Sequence, residues 1–372
     1  MIEVREIEGK KQLRAFVQFP FRIYRGNPNW VPPLVSDDMN TLDPEKNPAR
    51  EYCRAKYWMA YEDGIPLGRI AGIINDKYIE KWKNRYARFG WIDFVDRQDV
   101  ADALMSTCEQ WARDEGMTAI HGPLGFTDLD PEGMLVEGFD EMGTLPMIYN
   151  YNYYPRYLEA RDYQKDVDWL EYRIDIANSV PDRVRRVDAA VRGRLKLRVF
   201  EARRAKDLLP YAPKIFEIIN ETYSHLYGVV ELNEKQIQGY VDQYFGFVRA
   251  DLVKLVLDEQ DRLIAFGIAA PSMSRALQIA RGRIFPFGFI PLLYALRRPK
   301  VADMYLGAVV KEYQGRGVTA LLMRSMHESL IKAGVTEVES SGNLETNTEI
   351  QSVWSYYPHR LHKRRRCYIK QL

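Results

Sequence analysis

Two glycines between a short apolar strand and an amphipathic helix are the first feature of this sequence that could do chemistry. The strand is predicted over Met304 to Val310, a polar turn covers Lys311 to Gly317, and the helix continues to Leu330. Such a turn aims several backbone N–H groups and the positive end of a helix dipole at one point in space. Gly315 and Gly317 carry no Cβ, so the backbone there can come close to an anion. The stretch therefore predicts a binding site for a phosphate or pyrophosphate.

The turn also matches a known residue pattern. Gln314-Gly315-Arg316-Gly317-Val318-Thr319 resembles the acyl-CoA pyrophosphate loop of the GNAT N-acyltransferases, Q/R-x-x-G-x-G/A. Thr319 departs from this pattern, because the family has Gly or Ala there. The elements that follow keep the GNAT order, with a strand predicted over Thr336 to Ser341 and then a helix that ends by Tyr357. The resemblance covers about the last half of the chain.

For the fold, the resemblance implies an α/β (α+β) protein of two tandem GNAT-like modules, each a mixed, mostly antiparallel sheet flanked by helices. Residues 1–178 show the same order of helix, hairpin and strand–helix–strand. The turn before their helix, Asp96 to Asp99, has no glycine and carries negative charge, which would repel a pyrophosphate. We therefore expect an N-terminal module over 1–178 without its own acyl-CoA loop, a connector over 179–194, and an acyl-CoA-binding module over 195–372 that contains a helix over 234–245.

For the chemistry, the resemblance implies an enzyme, an N-acyltransferase that moves an acyl group from the co-substrate acyl-CoA to a primary amine. The end of the strand should pair its backbone with the pantetheine, and a backbone N–H there would stabilise the tetrahedral oxyanion. The loop should hold the pyrophosphate, and Asn347 should fix the helix beside the thiol end of CoA. The implied acyl-CoA residues are Val309, Val310, Gln314, Gly315, Arg316, Gly317, Val318, Thr319 and Asn347.

Proton transfer needs further residues. The amine must lose a proton before attack, and the carboxylates nearest in sequence to the expected site are Glu339 and Glu345. We prefer Glu345 as the base; its alternative role is to favour the start of the following helix. The family's next pattern, Asn-x-x-Ala-x-x-x-Tyr, is half kept and has Trp354 in the place of tyrosine. Tyr356, Tyr357 or water is therefore expected to protonate the leaving thiolate.

Three segments of the first module are rich in glycine, aromatic residues and amides: Gly122 to Thr127, Gly133 to Phe139 and Tyr149 to Pro155. They are either irregular loops packed by aromatic rings or a substrate-binding wall that faces the second module. The substrate contacts expected for the second interpretation are Tyr149, Asn150 and Tyr153.

Three other segments are basic. Asp175 to Arg198 predicts a solvated connector helix, with a patch for the CoA 3′-phosphate or anionic lipid as the alternative. Arg281 to Arg298 is an apolar insertion of the second module, either a buried loop that caps the core or a lip that touches a membrane through residues 284–296 or holds an acyl chain. His359 to Arg366 predicts a hairpin at the edge of the second module, with nucleic acid or anionic lipid binding as the minority alternative.

Composition limits the class of protein. A chain of 372 residues suggests two modules, and a net charge of +2 gives no general electrostatic reason for nucleic acid binding. Cys53, Cys108 and Cys367 are odd in number and widely spaced, which favours reduced thiols in a cytoplasm over disulfides or a zinc site, so we expect no metal. The N-terminal residues lack the apolar core of a signal peptide, and no apolar stretch approaches the ~20 residues of a spanning helix. We expect a cytoplasmic protein, with peripheral contact at the inner membrane face as an addition; the sequence does not indicate the oligomeric state.

The whole pattern also resembles a bacterial double-GNAT family that includes bacterial ceramide synthases and is connected with N-acylation of sphingoid bases. This resemblance implies a role in lipid metabolism and a long-chain, sphingoid-type amine as acceptor. Short-chain N-acetylation of a small amine is the alternative within the same class. The competing class is a catalytically inactive acyl-CoA-binding sensor, which Thr319 and Trp354 favour. The expected partners are a CoA thioester and an amine, and not nucleic acid.

Overall fold

The structure is a computed structural model that describes residues 1–244 and 248–372. The chain forms two compact units. Unit 1 comprises Met1–Leu170, Ser274–Leu292 and His362–Leu372, and unit 2 comprises Glu171–Met273 and Leu293–Leu361. The helix expected over 234–245 is observed to Tyr244, and Phe245 lies outside the described residues.

The strands in chain order are β1 (Glu3–Glu6), β2 (Cys53–Glu62), β3 (Ile65–Asn75), β4 (Tyr86–Phe94), β5 (Ala119–Gly122), β6 (Met134–Glu137), β7 (Gln164–Asp175), β8 (Arg198–Phe200), β9 (Val253–Leu257), β10 (Leu263–Pro271), β11 (Val301–Val309), β12 (Glu337–Ser340), β13 (Asn343–Leu344) and β14 (His359–Gln371). The helices are α1 (Gly9–Gln18), α2 (Pro20–Ile23), α3 (Val35–Leu42), α4 (Asp76–Trp82), α5 (Gln98–Asp114), α6 (Tyr153–Glu159), α7 (Asp182–Leu195), α8 (Ala212–Tyr223), α9 (Glu234–Tyr244), α10 (Ser274–Ala280), α11 (Phe289–Arg297), α12 (Thr319–Ala333) and α13 (Thr348–Trp354). Short 3₁₀ turns cover Pro48–Glu51, Ala205–Tyr211, Ala250–Leu252 and Lys311–Tyr313.

Unit 1 is built on a sheet in which β1 to β5 lie side by side and β14 follows β5. These pairs are antiparallel except β4–β5, which are parallel. A parallel pair needs a crossover, and α5 supplies it. The helix packs closely on β3, because a Cβ at Gly72 would lie only 2.6 Å from the Trp111 ring. Its buried face has the helical spacing of Val100, Leu104, Met105 and Cys108.

Unit 2 repeats this arrangement. Its sheet has the order β8, β9, β10, β11, β12 and the end of β7. The pairs are again antiparallel except one, β11–β12, which α12 connects. The face of α12 that packs on the sheet carries Leu321, Leu322, Met326 and Leu330. The predicted fold class is therefore confirmed: each unit has a mixed, mostly antiparallel sheet flanked by helices.

The bounds of the two units differ from those of the sequence-predicted modules, 1–178, 179–194 and 195–372. The predicted connector is largely helix α7, which buries Val184 and Val191 in the cores of unit 2. The last strand of the chain pairs with β5 in unit 1, where Tyr368 lies opposite Gly122. The insertion expected in the second module, Arg281 to Arg298, belongs to unit 1 as far as Leu292, together with the residues from Ser274 that precede it.

The expectation of an edge hairpin at His359 to Arg366 is wrong. These residues begin β14, which pairs with β5 and β6 in the sheet of unit 1. Lys363 and Arg365 are buried, and Arg366 Nε lies 2.9 Å from Asp168 Oδ1. These paired and buried cations contribute to the fold.

Among the described residues, no helix combines the length and apolar composition that crossing a bilayer requires.

Candidate functional site

The candidate site of unit 2 lies where β12 leaves β11. The two strands pair from Val301 to Met304, and the last bond runs from the Ser341 N–H to the Met304 carbonyl at 2.9 Å. β10 continues to pair with β11 as far as Val309. The final residues of β11 therefore have a strand partner on one side and an open edge on the other.

The register of β10 and β11 decides which backbone groups face that open edge. Val310 donates its N–H to the Ile264 carbonyl at 2.9 Å, so this residue faces β10. Alternate residues of an antiparallel strand bond to the same neighbour, so Gly307 and Val309 face the other way. Val310 was expected among the acyl-CoA contacts, but its N–H is used inside the sheet. The Val309 N–H has no protein partner among the described residues and is the donor that this edge offers.

Tyr223, at the end of α8, occupies the neighbouring position on the same edge. Its hydroxyl accepts from the Gly307 N–H at 3.2 Å and donates to the Gly307 carbonyl at 3.0 Å. Sequence reasoning did not identify this contact. The two residues are 84 positions apart, and no local pattern joins them.

The loop after β11 has the conformation that its glycines permit. Gly315 and Gly317 adopt φ values of +70° and +83°, in the left-handed region. A Cβ at Gly317 would lie 3.0 Å from Val191 of α7, whereas nothing lies within 4 Å of one at Gly315. Gln314 closes the turn, because its side-chain amide donates to the Val309 carbonyl at 2.9 Å.

The loop leaves a set of backbone donors unused. Within the described part of the chain, no protein acceptor is present for the N–H groups of Gly315, Gly317, Val318 and Thr319. The next two N–H groups of α12 are already bonded to carbonyls of the loop. The first turn of α12 also contains no acidic residue. Free N–H groups at the positive end of a fifteen-residue helix are suited to an anion.

Two arginines add positive charge to this loop. Arg194 of α7 donates to the Arg316 carbonyl at 3.2 Å, and the Arg316 guanidinium lies 5.7 Å from the centre of the Tyr313 ring. Neither arginine forms an ion pair within the described residues. Arg192, by contrast, is bound to Asp188 at 2.7 Å. The connector segment thus supplies one cation beside the loop.

The two carboxylates proposed as the base have different surroundings. Glu339 on β12 is buried, and its Oε1 lies 3.9 Å from Arg173 Nη1. Glu345 follows β13 and is half-buried. Helix α13 is capped by Asn347, whose side-chain oxygen accepts from the Ile350 N–H at 3.4 Å. Asn347 thus supplies the cap that was considered for Glu345, and it fixes the start of α13 as expected.

The tyrosines proposed as the acid lie at the end of α13. Tyr356 has the Arg183 guanidinium 4.7 Å from its ring centre. Tyr357 is buried, its hydroxyl has no partner within the described residues, and burial raises its pKa. It borders an apolar cavity of about 20 Å³, lined mainly by Ile174, Met304, Met323, Met326, Val338 and Trp354. Tyr223 is instead the tyrosine whose hydroxyl lies on the open edge.

Trp354, at the position of the family tyrosine, has a structural role, because its buried indole N–H donates to Asn343 Oδ1 at 2.9 Å. We expect Trp354→Phe to lower the free energy of unfolding by about 2 kcal/mol, since it leaves a buried acceptor unpaired and a gap beside it. Urea unfolding measures this loss. Tyr356→Phe is the control and should change stability by less than about 0.5 kcal/mol. Equal stability of the two variants would contradict the structural role.

In unit 1, the residues predicted to contact substrate have internal partners. The Tyr149 hydroxyl donates to the Phe139 carbonyl at 2.9 Å, and the Tyr153 hydroxyl donates to a backbone carbonyl at the end of β4 at 2.7 Å. The Asn150 amide bonds to both the N–H and the carbonyl of Leu135, at 2.7 and 3.0 Å. These contacts hold the loops together, and a role in substrate binding stays a prediction.

The helix of unit 1 that corresponds to α12 begins differently. Asp99, in the first turn of α5, accepts from the Val100 N–H at 3.1 Å, and Arg97 pairs with Asp99 and Glu62. A carboxylate of the protein therefore lies at this helix start.

Unit 1 also contains three side chains that could hold a metal ion, which sequence reasoning did not find. Ligand atoms of His121, Asp166 and Cys367 lie within 4.8 Å of one another. Burial lowers the pKa of His121 to about 4, so its imidazole is neutral at pH 7, the form in which histidine binds metals. The three residues are far apart in sequence, and they meet because β14 lies between β5 and β7 in the sheet.

No protein-family model matches the chain. Among solved structures, it is similar to a tandem GNAT protein from the clavulanic acid biosynthesis pathway, with a TM-score of 0.58 and 14% identity over 100% of this chain and 98% of that one. A GCN5-related N-acetyltransferase from Sphaerobacter thermophilus gives a TM-score of 0.54 and 9% identity, over 100% and 95% of the two chains. At these identities the likeness concerns the fold, which is that of tandem GNAT proteins.

Two curated proteins are similar over nearly their full lengths. Protein YghO of Escherichia coli is 28% identical over 378 residues, which is 99% of this chain and 95% of that protein. A protein of Caulobacter vibrioides named bacterial ceramide synthase is 26% identical over 389 residues, which is 100% of this chain and 98% of that protein.

Proposed function

We propose that this protein is an acyl-CoA-dependent N-acyltransferase that transfers an acyl group from CoA to a primary amine. The observation that carries the proposal is the combination in unit 2 of an open strand edge and an adjacent glycine loop. The edge offers the Val309 N–H, and the loop offers unused N–H groups at the start of α12. A thioester and a pyrophosphate need donors of this kind, arranged along one extended molecule. The tandem GNAT fold supports the proposal at the level of the fold.

The chemistry can then be assigned to groups of unit 2. The Val309 N–H polarises the thioester carbonyl and stabilises the oxyanion that forms when the amine nitrogen attacks. Glu345 accepts the amine proton, directly or through water; Glu339 is less suited because it faces Arg173. Once the new C–N bond has formed, the C–S bond breaks and the CoA thiolate leaves. The thiolate takes a proton from the Tyr223 hydroxyl, and solvent then returns a proton to Tyr223. Arg194 and Arg316 add charge that favours the phosphates of CoA.

For the acceptor we propose a long-chain amine of the sphingoid type. The support is the likeness to the Caulobacter protein named bacterial ceramide synthase, because a ceramide is an N-acylated long-chain amino alcohol. Transfer of a short acyl group to a small amine is the second candidate, since the solved neighbours include N-acetyltransferases.

The test has two stages. Calorimetric titration with CoA, acetyl-CoA and palmitoyl-CoA below its micelle concentration should show binding of all three if unit 2 holds the CoA moiety, and tighter binding of palmitoyl-CoA if it also holds a long chain. Mass spectrometry should then detect an N-acylated product with a sphingoid base and none with a short diamine. Product with the short diamine alone would favour the second candidate. Binding without any product would favour an acyl-CoA sensor, and the absence of binding would refute the proposal.

A further inference from the structure

Large apolar side chains that face solvent are concentrated in one segment of unit 1, which we call the apolar hook, residues 279–290. Phe285, Phe287 and Ile279 are 78%, 72% and 72% exposed. The expectation of a buried loop in this region is therefore wrong. Within the described part of the chain, most of the exposed large apolar residues lie in the hook or directly after it: Ile279, Phe285, Phe287, Phe289, Ile290, Leu293 and Tyr294.

The hook is held in place, so its exposure does not result from a frayed loop. Gln278, directly before it, donates to the carbonyls of Pro28 and Trp30 at 2.8 and 3.0 Å. The Val35 N–H donates to the Gly282 carbonyl at 3.0 Å. A Cβ at Gly282 would lie 2.2 Å from a backbone oxygen, so the two segments are in close contact. The proline-rich segment before α3 thus supports the hook, while the side chains of Phe285 and Phe287 stay largely exposed.

Along the chain, the hook lies within a stretch that carries only basic charge. Residues 263–302 contain five arginines and one lysine but no aspartate or glutamate, in a chain with 53 basic and 51 acidic residues. Arg281 and Arg283, inside the hook, are exposed and form no ion pair within the described residues. The hook therefore combines bare aromatic rings with unneutralised cations.

We infer that the apolar hook docks the protein on the surface of an anionic phospholipid bilayer. Phe285, Phe287 and Ile290 enter the region between headgroups and acyl chains, while Arg281 and Arg283 lie at the level of the phosphates. A bilayer offers both an apolar layer and a layer of negative charge within reach of one small segment, which matches this pattern. A second copy of the chain would place the same positive residues against each other if it met the hook symmetrically. The inference goes beyond the proposed function and does not depend on it.

Vesicle flotation tests the docking without any activity assay. The protein should float with vesicles of phosphatidylcholine that contain about 30 mol % phosphatidylglycerol, and much less with phosphatidylcholine alone. Phe285→Ser/Phe287→Ser should reduce the partition coefficient by about 100-fold. Arg281→Glu/Arg283→Glu should reduce it by about tenfold or more on the anionic vesicles only. The matched controls are Ile65→Ser, which changes an exposed apolar residue at the start of β3, and Arg186→Glu on α7.

A fluorophore reports whether the hook itself enters the lipid. The three native cysteines are buried, so Phe287→Cys can be labelled selectively with an environment-sensitive dye. Its emission should shift to the blue on anionic vesicles and be quenched by brominated lipids, whereas a label on Ile65→Cys should not respond.

Three results would overturn the inference: no flotation of the native protein, unchanged flotation of the hook variants, or a silent label at position 287. Light scattering after gel filtration gives the competing outcome. A dimer that the double serine variant dissociates, with no vesicle binding, would assign the hook to self-association instead.

Discussion

Gly315→Asp is expected to weaken CoA binding about 100-fold while the protein stays folded. Position 315 has φ +70° and open space around its Cβ position, and aspartate tolerates the left-handed region better than most residues. Its carboxylate would stand beside the N–H groups that we assign to the pyrophosphate. At an effective dielectric of about 20, like charges about 5 Å apart repel by about 3 kcal/mol, which corresponds to the expected factor. Calorimetry with CoA measures it.

Gly315→Asn is the matched control, because asparagine has the same shape and backbone preference without the charge. It should retain binding within about fivefold, and both variants should unfold at the same urea concentration. Similar losses in both variants would mean that the loop conformation matters and the charge does not. If Gly315→Asp bound CoA with native affinity, the pyrophosphate could not be bound at this loop. Gly317 is a poor site for the experiment, because a Cβ there meets Val191 and would disturb the packing of α7.

Tyr223→Phe is expected to lower kcat by about 100-fold, the size of effect that a general acid contributes, with little change in KM for acyl-CoA. The hydroxyl bridges exposed backbone groups of Gly307, so the free energy of unfolding should fall by less than about 1 kcal/mol. Steady-state release of free CoA, measured with a thiol reagent, gives both constants. Tyr211→Phe is the control, since the Tyr211 hydroxyl makes no hydrogen bond within the described residues and should be dispensable.

Comparison of kcat with the affinity for acyl-CoA distinguishes an acid from a structural tyrosine. If Tyr223 protonates the thiolate, the variant should lose kcat and keep the native affinity for acyl-CoA. An unchanged kcat together with tighter binding of acyl-CoA would contradict this role. That result would show that the Tyr223 hydroxyl only bonds to the Gly307 backbone until the pantetheine displaces it.

The loop of the candidate site could be predicted because its signals are local. A strand, two glycines and a helix follow each other within 27 residues, Met304 to Leu330, and each element forms through neighbours in the chain. Asn347 is likewise a short-range signal, because a cap contacts the first turn of its own helix. The tandem arrangement could be predicted for the same reason, since both units repeat one order of elements.

The remaining parts of the site depend on pairings between distant residues. Whether Val309 or Val310 offers its N–H is decided by the register against β10, because a shift of one residue exchanges the two edges of a strand. Tyr223 reaches Gly307 only through the packing of α8 beside β11. Tryptophan at position 354, where the family has tyrosine, suggested from the sequence that a catalytic group was lost. The structure shows that the Trp354 indole bonds to Asn343.

The sequence by itself determined the order of strands and helices around the candidate site, the glycine turn before α12 and the chemical character of each segment, because hydrophobic period, glycine positions and capping residues act within a few positions along the chain. Tertiary structure alone decided where the last strand and the apolar hook belong. The sequence of a basic strand such as β14 does not indicate which strands it will pair with. Its arginines have a structural role because Asp168 and Glu137 lie beside them. The hook likewise comes after β10 of unit 2 in sequence, yet it belongs to unit 1. Gln278, directly before the hook, donates hydrogen bonds there to the carbonyls of Pro28 and Trp30. Backbone groups pair with whichever partner the completed fold brings within reach, and residue order does not specify that partner.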